Sequence, residues 1–233
     1  MSESSTEINV LSGGAVEPGL RKVVDAFRRA TARRASVAFA TAPEIRKRLA
    51  GKEPADVVIA PADLVRELAR QGKLRETERA TVGRVGIGVT VREGAELPGI
   101  ATVEQFKDSL LQAEAVVYNQ ASTGIYLERL FQRLGIAEKL QRKAKRYPDA
   151  AGVLDRVARG TGREIGLAAA TVIVQAKRAG LKFVGPLPAE IQNYTVYEAA
   201  VTAAAKSVEN AREFVRFLAS PEAKAEFSAA GIE

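Results

Sequence analysis

INVLSGGAVEPGLRKVVDAF, residues 8–27, contains the pattern on which the fold turns. INVL (8–11) reads as a short buried strand, and Ser12-Gly13-Gly14 breaks it. Val16, Leu20, Val23, Val24 and Phe27 then recur at helical spacing. The unit is strand, loop, helix, and it repeats. VAF (37–39) leads through Thr41-Ala42-Pro43 into a helix carrying Ile45 and Leu49, with Pro43 suited to a first helical position. VVIA (57–60) leads through Pro61 into a helix carrying Leu64, Val65 and Leu68. Successive β-α units predict a parallel sheet with helices on both faces.

The second half changes rhythm before resuming it. RVGIGVTV (84–91) predicts one longer strand with two glycines inside it, and Thr102 with Gln105 has the spacing of a capping box opening a helix. A buried strand over 116–118, a polar loop over 119–123 and a helix over 125–134 follow. A helix over 150–159, a strand over 165–168, a helix over 171–179 and a strand over 183–184 complete a second α/β set. Pro186-Leu187-Pro188 interrupts it. The chain resumes extended over 194–201 and closes with two amphipathic helices carrying Phe214, Phe217, Leu218 and Phe227. Ser220-Pro221-Glu222 opens the second as a cap followed by proline. The predicted organisation is two interwoven lobes, residues 1–82 plus 194–233 and residues 83–193, with crossings near 81–84 and 193–195.

Composition removes whole classes of chemistry. The chain has no Cys and no His, which excludes disulfides, thiolate nucleophiles, Ser-His-Asp triads and zinc centres built on thiol or imidazole. Its acidic residues are scattered among basic ones, so no metal and no cofactor is expected. A formal charge of +7 attracts anions. The densest basic run, residues 139–146, has only Tyr147 beside it and no nucleic-acid motif, so it reads as a solvated helix face. No apolar run approaches the ~20 residues that span a bilayer. The opening MSESST (1–6) lacks the features of a secretory leader, which as written points to the cytoplasm, or to the periplasm if a signal has been removed.

The order of these elements, with INVLSGGAV (8–16), FATAPEIRKRL (39–49), PADVVIAP (54–61), TGIY (123–126), GPLPA (185–189) and FVRFLASPEA (214–223), resembles type 2 periplasmic binding proteins. Within that group it is similar to the molybdate-binding-protein-like family. The resemblance implies two Rossmann-like α/β lobes joined by crossover strands, closing on one small anion in a cleft. It also implies an ABC-type transporter permease as partner and a monomeric chain. Strand-to-helix loops present backbone N–H groups and helix N-termini. Candidate ligand residues are therefore Ser12, Gly13, Gly14, Thr41, Asn119, Ser122, Thr123 and Gly124, with Thr171 at another helix start and Arg84 at a crossing. Each has a plainer reading: a turn glycine, a helix cap, or a salt bridge for Arg84. The chain departs from the family pattern at Ala15, Ala42 and Ala169, where molybdate binders place hydroxyl-bearing residues.

Two functions follow from the resemblance. One is a substrate-binding component delivering an oxyanion or small organic acid to a transporter. The other is a cytoplasmic isomerase on the same fold, because aconitate isomerase also resembles this family. Such an enzyme needs a positioned base, and without His the candidates are Glu190, Tyr118, Tyr194 or a lysine with a depressed pKa.

Overall fold

A computed structural model describes residues 7–51, 53–176 and 180–233. The opening 1–6 stretch and residues 177–179, the expected end of the helix over 171–179, lie outside the described residues. The chain divides into two compact units, Met1–Val85 with Thr195–Glu233, and Gly86–Tyr194.

The first unit holds β1 (Ile8–Gly13), α1 (Glu17–Thr31), β2 (Ala35–Ala40), α2 (Ala42–Ala50), β3 (Val57–Pro61), α3 (Ala62–Arg70) and β4 (Leu74–Val85). After the second unit it resumes with β10 (Thr195–Thr202), α9 (Val208–Leu218) and α10 (Pro221–Ala229). Its sheet has the order β2-β1-β3-β10-β4. The three β-α units pair in parallel, as their spacing predicts, whereas β10 runs antiparallel to both β3 and β4. The sheet is therefore mixed, which corrects the all-parallel expectation. A strand that re-enters after a whole second unit has no β-α handover to fix its direction.

The second unit holds β5 (Ile87–Arg92), α4 (Val103–Gln112), β6 (Ala115–Asn119), α5 (Ser122–Arg133), α6 (Ala137–Leu140) and β7 (Ala144–Tyr147). It ends with α7 (Ala150–Arg159), β8 (Glu164–Ala169), α8 (Ala170–Gln175) and β9 (Leu181–Pro186). Its sheet order β7-β6-β8-β5-β9 repeats the plan of the first, with β6 parallel to β7 and β8, and β5 antiparallel to β8 and β9. Thr102 caps α4 as predicted, its hydroxyl accepting the Gln105 N–H at 3.2 Å. The single strand expected over 84–91 is two, β4 and β5, separated at Gly86, where a Cβ would come within 3.2 Å of Tyr194.

Each sheet is buried on both faces. In the first unit Leu11, Val58, Leu64 and Leu68 fill one side. On the other, Phe27 meets Phe214 and Phe217 edge-on at 5.0 and 5.3 Å between centroids. The closing helices pack so tightly there that a Cβ on Gly19 would stand 2.6 Å from the Phe227 ring. In the second unit Tyr118 meets Phe131 edge-on at 5.7 Å, while Val153, Leu154 and Val157 of α7 cover the opposite face. The basic run is not one helix face: only Lys139 lies on α6, and the rest follows the turn into the edge strand β7. Lys143 donates to the Leu111 and Ala113 carbonyls, and Arg146 donates to the Tyr118 hydroxyl and pairs with Glu128. These contacts anchor a strand edge, a task that helical periodicity does not reveal.

Candidate functional site

In each unit the ends of the parallel strands and the starts of the following helices collect loop residues at one sheet edge, the position where open α/β sheets take ligands. In the first unit β1 ends at Gly13 beside Ala40, the end of β2. Ser12 is fully enclosed and its hydroxyl donates to the Gly13 carbonyl at 3.2 Å, so this side chain is not an unspent donor at the loop surface. The two glycines that follow differ. A Cβ on Gly13 would lie 2.8 Å from Cε1 of the Tyr197 ring, whereas a Cβ on Gly14 would meet nothing within 4 Å. Gly13 is therefore required by packing, and Gly14 faces open space. Thr41 stands at the N-cap of α2 in extended conformation, half-buried, and its hydroxyl makes no cap bond.

In the second unit the cap of α5 is made by a residue on the strand. Asn119, 6% exposed, accepts the Ala121 N–H at 3.0 Å and the Gly124 N–H at 3.2 Å through Oδ1. This corrects the expectation that the Gly124 N–H faces a ligand, because that donor is already engaged. Gly124 has a steric reason instead: a Cβ there would fall 1.6 Å from the Asn119 carbonyl oxygen. With Asn119 capping, Ser122 and Thr123 are released from that role. Both are half-buried, and their hydroxyls and N–H groups have no intramolecular hydrogen-bond partner among the described residues. At the first turn of a 12-residue helix these are four uncommitted donors at the positive end of the helix dipole.

The remaining candidates lie elsewhere. Thr171 is 2% exposed on the second residue of α8, directly after β8 ends at Ala169. Arg84, on β4, is zipped to the final residue: Arg84 and Glu233 exchange main-chain hydrogen bonds at 2.6 and 3.0 Å, and the guanidinium meets the Glu233 carboxylate at 2.8 Å. Tyr126 packs, its hydroxyl donating to the Ile191 carbonyl at 2.7 Å. Of the candidate bases, Tyr118 is 2% exposed and holds Arg146, Glu190 is exposed in a short 3-10 turn (Ala189–Ile191), and Tyr194 is 42% exposed.

One residue escaped the sequence reading. Tyr197, on β10, pairs with Pro61 at the carboxyl end of β3 and lies against Gly13 at the end of β1. Its ring reaches the same edge as the first-unit loops, and burial pushes its phenol above the ordinary tyrosine value. The pattern around it is simply an apolar-rich strand. Only the pairing of β10 with β3, across about 135 residues of intervening chain, brings it to that edge.

Residues 8–233 match the bacterial extracellular solute-binding protein family. A curated relative, aconitate isomerase of a Pseudomonas species, is 31% identical over 234 residues, covering 98% of this chain and 88% of that protein. Among solved structures, the periplasmic molybdate-binding protein of Azotobacter vinelandii aligns with a TM-score of 0.81 at 19% identity, covering 97% of this chain and 98% of that one. The sulfate-binding protein SubI of Mycobacterium tuberculosis aligns at 0.76 and 18% identity, over 97% and 86% of the two chains. The structural likenesses establish the fold, and the match over 8–233 establishes the lineage: this chain belongs to the bacterial extracellular solute-binding protein family.

Proposed function

We propose that the protein binds one small anion through loop residues at the carboxyl ends of its parallel strands, as the substrate-binding component of an ABC-type transporter. The observation that carries this reading is the set of uncommitted donors at the start of α5, the Ser122 and Thr123 hydroxyls and N–H groups, freed by the Asn119 cap. Thr41 at the α2 start, which makes no cap bond, and the open space over Gly14 give the first unit's sheet edge a donor and room of the same kind. Neutral donors at helix N-termini favour an anion without the desolvation that a full positive charge demands.

A small organic acid suits the site better than molybdate. The resemblance puts the molybdate binders' hydroxyls near Ala15, Ala42 and Ala169, and the Ser12 hydroxyl is turned into its own loop. The curated relative is named for aconitate, a tricarboxylate, and its 31% identity exceeds that of the molybdate and sulfate binders. The same relative supports a second reading, an isomerase acting on a di- or tricarboxylate in this site.

A thermal-shift screen against molybdate, sulfate, cis- and trans-aconitate and citrate tests both readings. A ligand at 100 times its Kd adds about 2.7 kcal/mol of stability, a shift of several degrees. A shift with a carboxylate alone supports the organic-anion reading, and a shift with none of them removes it. Following trans-aconitate by proton NMR in the presence of protein then separates binding from isomerisation.

A further inference from the structure

We propose that the Tyr197 hydroxyl donates a hydrogen bond to the bound anion, meeting one of its carboxylate oxygens at the first unit's sheet edge beside Gly13. The inference rests on the anion-binding reading above and adds a donor of a different kind, an aromatic hydroxyl on an antiparallel strand.

Three observations converge on this residue. Tyr197 is 7% exposed, yet its hydroxyl has no hydrogen-bond partner among the described residues, in contrast to Tyr118, which holds Arg146, and Tyr126, which reaches the Ile191 carbonyl. With no partner inside the protein, this hydroxyl is left to water or to an acceptor arriving from outside. The wholly enclosed unpaired side-chain atoms of the described residues are Arg75 Nε, Glu78 Oε2, Arg79 Nε, Arg92 Nε and Glu164 Oε2. The Tyr197 hydroxyl is not among them, so it keeps an opening to solvent. Finally, the ring is aimed. Cε1, next to the carbon bearing the hydroxyl, stands 2.8 Å from a Cβ position on Gly13, and Cδ1 stands at 3.5 Å, so the hydroxyl end of the ring is the end nearer Gly13, the last residue of β1.

The chemistry fits an anion. Burial alone raises the phenol's pKa, with no charged neighbour contributing, so the group is a neutral donor throughout the physiological range. A phenol donor also orients a planar carboxylate, because it offers one hydrogen along a fixed direction. Gly13 gains a role from this. It leaves the space that lets the ring reach the edge, and its own conformation is ordinary extended backbone, φ −63° and ψ 136°.

The test is Tyr197→Phe, which keeps the ring against Gly13 and removes only the hydroxyl. Calorimetric titration of wild type and variant with trans-aconitate and, separately, with molybdate is expected to show about a tenfold weaker Kd for trans-aconitate in the variant, the loss of one hydrogen bond to a charged group. The melting temperature without ligand should stay within a few degrees of wild type. A variant that binds trans-aconitate like wild type overturns the assignment and leaves the anion reading standing. A wild type that binds neither probe overturns both. Should the variant fail to fold, 3-fluorotyrosine placed at position 197 alone gives a fluorine resonance. It should move on saturation with trans-aconitate, and an unmoved resonance overturns the proposal.

Discussion

Asn119 holds Gly124 by two opposed constraints: its side-chain Oδ1 accepts the Gly124 N–H at 3.2 Å, while its main-chain oxygen leaves no room for a side chain there. The last residue of β6 thus both caps α5 and dictates the third residue of that helix. Gly124→Ala is expected to destabilise the fold by at least ~2–3 kcal/mol, the scale of overpacking with loss of the cap bond. Gly14→Ala, whose new methyl meets nothing within 4 Å, should change stability by less than about 1 kcal/mol. Urea denaturation of the two variants in parallel checks the contrast, and equal losses would show that the α5 start is not built this way.

Ser122 and Thr123 are predicted to act on the ligand and not on the fold. Replacing both by Ala should weaken the anion that scores in the screen by ~1–3 kcal/mol, while the unfolding midpoint stays within experimental error. Isothermal calorimetry measures the first and thermal melting the second. An unchanged Kd removes the second unit's loop from the site.

The three β-α units and α9 were legible because short apolar runs, turn residues and 3.6-residue periodicity all recur locally, as in INVL followed by Ser12-Gly13-Gly14, and α10 from its Ser220-Pro221 start. The direction of β10 was not, since pairing with β3 and β4 is set by contacts far apart in sequence. The same distinction governs the site. Ser122 and Thr123 are visible as residues at a helix start, but whether a hydroxyl caps its own helix or stands free depends on Asn119, whose amide could serve either role. Ser12 shows the opposite outcome, a hydroxyl in a well-placed loop that turns inward. Tyr197 was invisible as a site residue because its strand carries no loop signal at all.

Asp56 is a structural centre in the first unit. It is 4% exposed; Oδ2 accepts the Asn9 N–H at 2.8 Å and its side-chain amide at 3.3 Å, and Oδ1 accepts the Lys206 N–H at 2.7 Å. One carboxylate therefore ties the start of β1 to the turn after β10. Asp56→Ala leaves those donors without an acceptor and is expected to cost ~2–4 kcal/mol, and Asp56→Asn less, because it keeps one acceptor oxygen. Urea midpoints of the two variants check the order, and anion affinity should be unaltered in Asp56→Asn.

The Arg84–Glu233 pair should contribute little through its charges. Both side chains are more than half exposed, at 53% and 55%, and screened ion pairs of this kind give about 0–1 kcal/mol. Glu233→Gln keeps the main-chain bridge and is predicted to shift the melting temperature by no more than a few degrees. Removing Glu233 altogether deletes both main-chain bonds and should cost more. Melting curves at low and high salt separate the two contributions, and a large salt-sensitive loss in Glu233→Gln would contradict this account.

Tyr197 also predicts how stability changes at alkaline pH. Burial raises its phenol pKa in the folded state above the unfolded value of about 10. Between those two values the folded state keeps a proton that the unfolded chain releases. The contribution is therefore fully present below pH ~10 and is lost as pH rises toward the folded pKa, with a limiting slope of about 1.4 kcal/mol per pH unit for one group. Other groups titrate in the same range, Lys143 among them with a pKa lowered by burial, so the wild-type curve alone does not isolate the effect. The comparison with Tyr197→Phe does, because every other group is common to both proteins. The free-energy difference between wild type and variant should be flat from pH 7 to 9 and should then move steadily in favour of Phe above pH 10. Urea unfolding at half-unit intervals from pH 7 to 11 measures it. A difference that stays flat to pH 11 would mean that the phenol titrates alike in both states and that the ring is not held as deeply buried as its 7% exposure implies.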